Sequence, residues 1–412
     1  MIRTTLAFAA AATLAACATS RTAPPAGPAT APGAAPTFSM SPVRFSDLPG
    51  WGSADLAPAF AAFQRQCVRW RTRPPGDAVG ASARYGGVVG DWLPACAAAD
   101  GAPADGARAF FEAQFTPHAV VSANGQARLT AYYEPVVQAR RAPEGDFREP
   151  LRPRPNDMIT VDLGAFADAY DNEALRGAPR TLTGRLQGDR VRPYPSRAEI
   201  TSNPGPALGY AHPVDVYNLQ AQGSGRLVFP DGEQRRAQFS AQNGYRWRSA
   251  IGAARERGDL PANGGTWRGF RAYFDSLPAE RARAALNADP SYVFFQDEAI
   301  SDPSVGPRGA ANVSLTPLGS MAVDPAFHPY GALIFVDAVY DGAPFRRLMA
   351  AQDTGGAIRR GPLRGDVFFG AGPDAGARAE RMNAEGVRFW TLTPRQAGAA
   401  VAARDPSVSA GR

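Results

Sequence analysis

Between Asp55 and Trp70 the apolar residues Leu56, Phe60, Phe63 and Val68 recur at near-helical spacing, and Ala107 to Phe115 repeats the pattern, so two helices are predicted near the start of the fold. The period drops to two over Arg128 to Ala139, where Thr130, Tyr132 and Glu134 fall on one face of a predicted strand and Leu129, Ala131 and Tyr133 on the other. The next segment, Arg140 to Asn156, is rich in Arg and Pro, which no sheet interior accepts, and it marks a first boundary. Strands are predicted at Val214 to Gln222, Gly225 to Phe229 and Ala237 to Gln242, with Pro230-Asp231-Gly232 turning the last two into a hairpin. Helical patterns follow at Trp247 to Arg257, Gly269 to Ser276 and Ala279 to Ala288, the last stopping before Asp289-Pro290, so a second boundary falls near Ser291. Beyond it, Tyr292 to Gln296, Gly331 to Asp337, Arg346 to Asp353, Asp366 to Gly370 and Val387 to Leu392 read as strands between Pro and Gly loops, a barrel-like rather than doubly wound pattern.

Composition supports that β bias, since 43 Gly and 38 Pro among 412 residues suit short strands and tight turns better than a helical bundle. All 44 cationic residues are Arg, which excludes Schiff-base chemistry and a P-loop lysine. The three histidines, His118, His212 and His328, are far apart and never spaced as a metal-binding pair, so no metal site is expected. Met1 to Ala16 has the charged start and short apolar stretch of a secretion signal, too short to remain as a membrane span. Its end, Leu14-Ala15-Ala16-Cys17, resembles a bacterial lipobox, which makes Cys17 the expected site of lipidation and lipid the expected anchor; Ala18 after it fits the outer membrane. Residues 18–36 hold almost no large apolar side chain and read as a tether. Export also makes nucleic acid a poor partner despite the net charge of +6. Cys67 and Cys96 either pair in an oxidising compartment or are separately buried thiols.

With few histidines and no lysine, the chemistry must rest on carboxylates. Asp366 follows Gly365 and opens an apolar strand, Asp353 ends a strand before a glycine turn, and Asp324 precedes Pro325. Carboxylates converging at strand mouths raise one another's proton affinity, so one keeps a proton to donate. Each is also a good turn former, and that structural role competes. Asp353-Thr354-Gly355 matches the tripeptide of aspartic proteases, but occurs once, where that chemistry needs two copies.

The strings AVDP with Pro-Tyr-Gly (Ala322 to Gly331), AQDTGGAI (Ala351 to Ile358) and GDVFFG (Gly365 to Gly370) resemble the three-aspartate (3D) domain. The rest resembles the membrane-bound lytic murein transglycosylase A family through LTAYYEPVVQARR (Leu129 to Arg141), YPSRAEI (Tyr194 to Ile200), LQAQGSGRLVFPDG (Leu219 to Gly232), NGYRWRSAIG (Asn243 to Gly252), PSYVFF (Pro290 to Phe295) and GPRGA (Gly306 to Ala310). The resemblance implies a mainly β fold with a few helices. A discontinuous double-psi β-barrel (37–139 and 291–397, with the 3D domain at about 306–395) would carry an inserted small β-barrel domain (140–290), with a glycan groove between them and a tail at 398–412. It implies Asp366 as the catalytic acid and base, Asp353 and Asp324 in support, and Thr130, Tyr133, Gln222 and Arg308 as glycan contacts. Tyr132, Tyr217 and Phe295 are read as core packing. The implied reaction breaks the β-1,4 bond of peptidoglycan without water or cofactor, and the implied partners are glycan strands and wall-synthesis complexes. The chain departs from the family between Asp353 and Asp366, 13 positions apart with a doubled Arg359-Arg360, where the family loop is usually shorter with one basic residue. An idle peptidoglycan-binding lipoprotein and a true glycan hydrolase with Asp353 as base are the competing functions.

Overall fold

The run Leu333-Ile334-Phe335-Val336 is apolar without alternation because its strand is buried on both faces. Leu333 and Phe335 join a core beneath the N-terminal helices, with Phe63, Trp70, Trp92 and Phe115. Ile334 and Val336 join an inner core with Leu129, Met321, Val367 and Phe389. The structure, a computed structural model, describes residues 37–395 apart from 81–83, 124–126, 177 and 262–264. Cys17, the leader, the tether and the tail at 398–412 lie outside the described residues.

In chain order the strands are β1 (Ser39–Pro42), β2 (Phe115–Val121), β3 (Arg128–Glu134), β4 (Val136–Gln138), β5 (Glu149–Leu151), β6 (Met158–Asp162), β7 (Thr181–Gln187), β8 (Arg190–Pro193), β9 (Gly209–Ala211), β10 (Gly225–Val228), β11 (Gln234–Gln242), β12 (Val293–Ala299), β13 (Ser320–Val323), β14 (Leu333–Tyr340), β15 (Ala343–Asp353), β16 (Arg364–Ala371), β17 (Asn383–Glu385) and β18 (Arg388–Pro394). The helices are α1 (Ala57–Trp70), α2 (Leu93–Asp100), α3 (Ala107–Gln114), α4 (Leu163–Tyr170), α5 (Glu173–Arg176), α6 (Arg197–Ser202), α7 (Pro213–Gln222), α8 (Ala250–Glu256), α9 (Trp267–Asp275), α10 (Ala279–Asn287) and α11 (Pro373–Ala379). Nine strands form one sheet in the order β1-β2-β18-β14-β15-β13-β16-β3-β17. The expectation of a mainly β fold with few helices holds. Among the described residues no ladder joins β1 to β17, so the nine strands are not hydrogen-bonded into a closed barrel. The segment between β3 and β13 builds three smaller sheets, β12-β11-β10-β4, β5-β9 and β6-β7-β8. No described helix is long and apolar enough to cross a membrane.

Several sequence expectations need correction. The strand predicted to run from Arg128 to Ala139 breaks at Pro135, and β4 continues in a different sheet, parallel to β10. Val214 to Gln222 is not a strand but lies within helix α7. His212 caps it by accepting from Val214 N, Pro213 opens it, and Gly223 closes it at φ 87°, a left-handed conformation open to glycine. The β-branched Val214 and Val216 misled the sequence reading; in the helix they face two different cores. Cys67 on α1 and Cys96 on α2 are joined in a disulfide with Cα atoms 5.4 Å apart, which settles the two alternatives in favour of pairing.

Glu134, the last residue of β3, is fully buried where the chain leaves the large sheet. Its Oε2 accepts from Arg226 Nε at 2.8 Å and its Oε1 from Arg236 Nε at 2.6 Å, one guanidinium from β10 and one from β11. The same guanidiniums donate to Pro303 O and Val305 O on the returning chain. Both crossings between the sheets are thus fixed at one carboxylate. Replacing Glu134 with Gln should destabilise the protein by about 3–5 kcal/mol, because two buried cations lose their partner; a urea midpoint like that of the unaltered protein would contradict this. Opening the disulfide (Cys67→Ser with Cys96→Ser) should remove about 2–4 kcal/mol, measured as a lower midpoint under non-reducing conditions.

Candidate active site

Register aligns five residues across the sheet: Asp353 on β15 with Ala322 on β13, Ala322 with Asp366 on β16, Asp366 with Thr130 on β3, and Thr130 with Asn383 on β17. Residues in register share a face. Their chain neighbours Met321, Val323, Val367 and Leu129 point into the inner core, so this row lies on the opposite face. Asp353 reaches the row through a bulge. The pairing of β13 with β15 skips Gln352, which is fully buried, accepts from Ser320 Oγ at 2.6 Å and donates to Ala62 O at 2.8 Å. Strict alternation would turn Asp353 toward the inner core; the extra residue re-aims it beside Ala322. The two carboxylates therefore flank one small side chain, with backbones two strand spacings, about 10 Å, apart.

Asp366 is half-buried. The Thr130 hydroxyl donates to its Oδ1, and Thr130 Oγ1 in turn accepts from Arg364 Nη2 at 2.7 Å, so the threonine proton is committed to the aspartate. Burial raises the Asp366 pKa to about 6; Arg364 and the Thr130 hydrogen bond pull against that shift, and Asp353 adds to it. Asp353 is also raised by burial, while its Oδ2 accepts from the Tyr132 hydroxyl at 2.8 Å and its Oδ1 from Ala310 N at 3.0 Å, bonds that favour the anion. Burial and the nearby aspartates hold the Tyr132 phenol protonated, and its ring packs on Phe368 with centroids 5.4 Å apart. The row can thus present one proton-bearing carboxyl and one hydrogen-bonded carboxylate to the same ligand.

Asp324 plays a different part. Its Oδ1 accepts from Ala326 N at 3.1 Å and its Oδ2 from Gly361 N at 3.0 Å, so it anchors the loop after Asp353 and hydrogen-bonds neither other aspartate. Thr354 Oγ1 donates to Val323 O at 2.9 Å at the start of that loop. At its end Pro362 O accepts from His328 Nε2 at 2.7 Å, while the Tyr85 hydroxyl, itself accepting from Thr391, donates to His328 Nδ1 at 2.8 Å. Burial lowers the His328 pKa to about 4, so this imidazole is a neutral strut.

Of the residues expected to touch ligand, Thr130 lies in the row. Tyr133 does not: it is on the other face of β3, where its hydroxyl accepts from Asn218 Nδ2 at 2.8 Å and its ring fills the space a side chain at Gly376 would need. Gln222 Oε1 accepts from Tyr133 N at 3.2 Å. Arg308 donates to Glu298 Oε2 at 2.7 Å, and the contribution of its loop to the row is Ala310 N–H. Sequence reasoning missed three participants. Tyr132 was read as packing, although it shares a strand face with Thr130; Arg364 sits two residues before Asp366 on the same face; Ala310 acts through its backbone and leaves no side-chain signal.

Residues 128–296 match the family described as the MltA specific insert domain, and residues 319–393 match the 3D domain. The membrane-bound lytic murein transglycosylase A of Escherichia coli strain K12 is 28% identical over 280 residues, covering 65% of this chain and 66%, just under two thirds, of that relative. A crystal structure of a membrane-bound lytic murein transglycosylase from Agrobacterium tumefaciens is 29% identical with a TM-score of 0.73, over 88% of this chain and 99% of that one. The lytic transglycosylase LtgG of Burkholderia pseudomallei is 30% identical with a TM-score of 0.56, over 88% and 98%. By sequence and by fold, the chain belongs to the membrane-bound lytic murein transglycosylase A family.

Proposed function

We propose that this protein is an active peptidoglycan lytic transglycosylase with Asp366 as its acid and then its base. The observation that carries the reading is the Asp366 carboxyl, half-buried in register with Asp353 across Ala322, hydrogen-bonded by Thr130 and raised to about 6 by burial. Breaking the β-1,4 bond between N-acetylmuramic acid and N-acetylglucosamine needs a proton on the leaving oxygen as positive charge develops at the anomeric carbon. Protonated Asp366 donates it. The resulting carboxylate then takes the proton of the muramoyl C6 hydroxyl, whose oxygen closes on C1 to give the 1,6-anhydro sugar. No water is added and one residue serves both steps. Asp353, held by Tyr132 and Ala310, faces the developing positive charge as an anion, and Asp324 holds the loop between them. In this reading the nine-stranded sheet is a double-psi barrel left open between β1 and β17, the insert at 140–290 builds most of the three smaller sheets, and the groove between the two takes the glycan. Acylated Cys17 anchors the protein to the periplasmic face of the outer membrane, within reach of wall-synthesis complexes.

Mass spectrometry of products released from purified sacculi should find muropeptides lighter than reducing ones by one water molecule. Asp366→Asn should slow their release by roughly 100- to 10,000-fold or more; a variant near the original rate would sink the assignment. Reducing ends would instead make the protein a hydrolase.

Because the proton donor must start protonated, kcat/KM should fall as pH rises through about 6, the value of the raised carboxyl in the ligand-free protein. Arg364 holds that value down, so Arg364→Gln should move this limb to higher pH. An unmoved limb would separate Arg364 from the acid.

A further inference from the structure

Arg128 and Arg364 are paired in register on β3 and β16, one pleat before Thr130 and Asp366, which places them about 7 Å along the strands from the acid. Arg364 Nη1 donates to Gly365 O and Nη2 to Thr130, while Arg128 Nε donates to Asn383 Oδ1 at 2.8 Å. The loop held by Asp324 and His328 adds Arg359 and Arg360, both exposed. Arg360 is close enough to Arg364 to disfavour its charge, as is Arg128, and Arg359 lies in the field of Tyr330 beside Asp353. Among the described residues none of these four guanidiniums has a carboxylate oxygen within 4.0 Å. The carboxylates near them are Asp324, committed to Ala326 and Gly361; Asp353, committed to Tyr132 and Ala310; Asp366; and Glu385, across from Arg128 in register without an ion pair. When Asp366 carries its proton, none of the four guanidiniums has an ion-pair partner among the described residues, and Glu385 in register with Arg128 is the carboxylate left on that side. Like charges gathered in one place disfavour one another, and an anion bound among them relieves that cost.

We propose that Arg359 and Arg360, on the loop after Asp353, together with Arg128 at its edge, form a subsite for a carboxylate carried by the muramoyl side of the glycan, so that this protein prefers anionic over neutral strands. The inference rests on the glycan reading of the site. Its geometry suits the substrate: the lactyl ether sits on the same ring as the C1 that is attacked, so its carboxylate, or the peptide built on it, must lie within about one sugar ring of the acid. Guanidiniums bind carboxylates through paired, charge-assisted hydrogen bonds. Two sources share this chemistry, the free lactyl carboxylate of naked glycan and the carboxylates of the stem peptide.

The test compares Asp366→Asn, chosen to slow cleavage during the binding measurement, with the same protein carrying Arg359→Ala and Arg360→Ala. Binding is measured to three soluble ligands: neutral chitohexaose, peptide-free muramoyl glycan and peptide-bearing glycan. Removing the two arginines should weaken carboxylate-bearing ligands by about tenfold at low salt, with the difference shrinking as salt rises, and leave chitohexaose unchanged. A loss confined to peptide-bearing glycan assigns the anion to the stem peptide, a loss confined to peptide-free glycan assigns it to the free lactyl carboxylate, and a loss on both shows that the subsite takes either carboxylate. Equal binding of all three by the two proteins overturns the proposal, as does an equal loss on all three including chitohexaose. The glycan reading fails separately, if the unaltered protein releases nothing from sacculi and Asp366→Asn binds none of the three.

Discussion

The parallel pairing of β3 with β16 is the constraint on which the site depends. It joins segments more than two hundred residues apart, and it alone sets Thr130 beside Asp366 and Tyr132 beside Phe368. Parallel neighbours cannot be connected by a tight turn, and here the connection is long enough to contain three further sheets. A slip of one residue would turn Thr130 and Tyr132 toward the inner core and Leu129 and Ala131 outward. Leu129 in the core and Thr130 on the site face therefore fix the same register from opposite sides.

Two carboxylates at this junction meet burial in different ways. Glu134 is surrounded by the guanidiniums of Arg226 and Arg236, each bonded directly, and becomes a fixed point between sheets. Asp366 meets its nearest guanidinium through the hydroxyl of Thr130, and Asp353 repels it from the other side. Direct pairing gives a rigid joint, whereas relayed pairing leaves a carboxyl whose proton is held only to about pH 6. The difference lies in one intervening side chain, and it separates a structural carboxylate from one able to transfer a proton.

The bulge at Gln352 adds a second device. Gln352 is buried against α1, so the helical layer that covers the sheet also sets the direction of Asp353. Thr354 secures the start of the loop that follows, through Val323 O, and Asp324 and His328 secure its end, at Gly361 and Pro362. That loop carries the doubled arginine, so Arg359 and Arg360 sit between anchored ends.

The sequence alone determined much of this. The period-two pattern over Arg128 to Glu134 already placed Thr130 and Tyr132 on one face, the apolar run at Leu333 announced a strand, and the aspartates stood out beside glycines and strand ends. These are local features, legible because a strand writes its two faces into alternate residues. It also misled where local signals conflict, as at Val214 and Val216, whose β-branched side chains pack in a helix between two cores. Tertiary structure alone decided which faces met. The break at Pro135, the disulfide, the Gln352 bulge, the Arg364 relay and the placement of Tyr133 away from Asp366 all depend on segments far apart in the chain, and such contacts leave no period in a single sequence. Asp366 was legible locally, beside a glycine at a strand start; its proton affinity is set by neighbours that only the fold supplies.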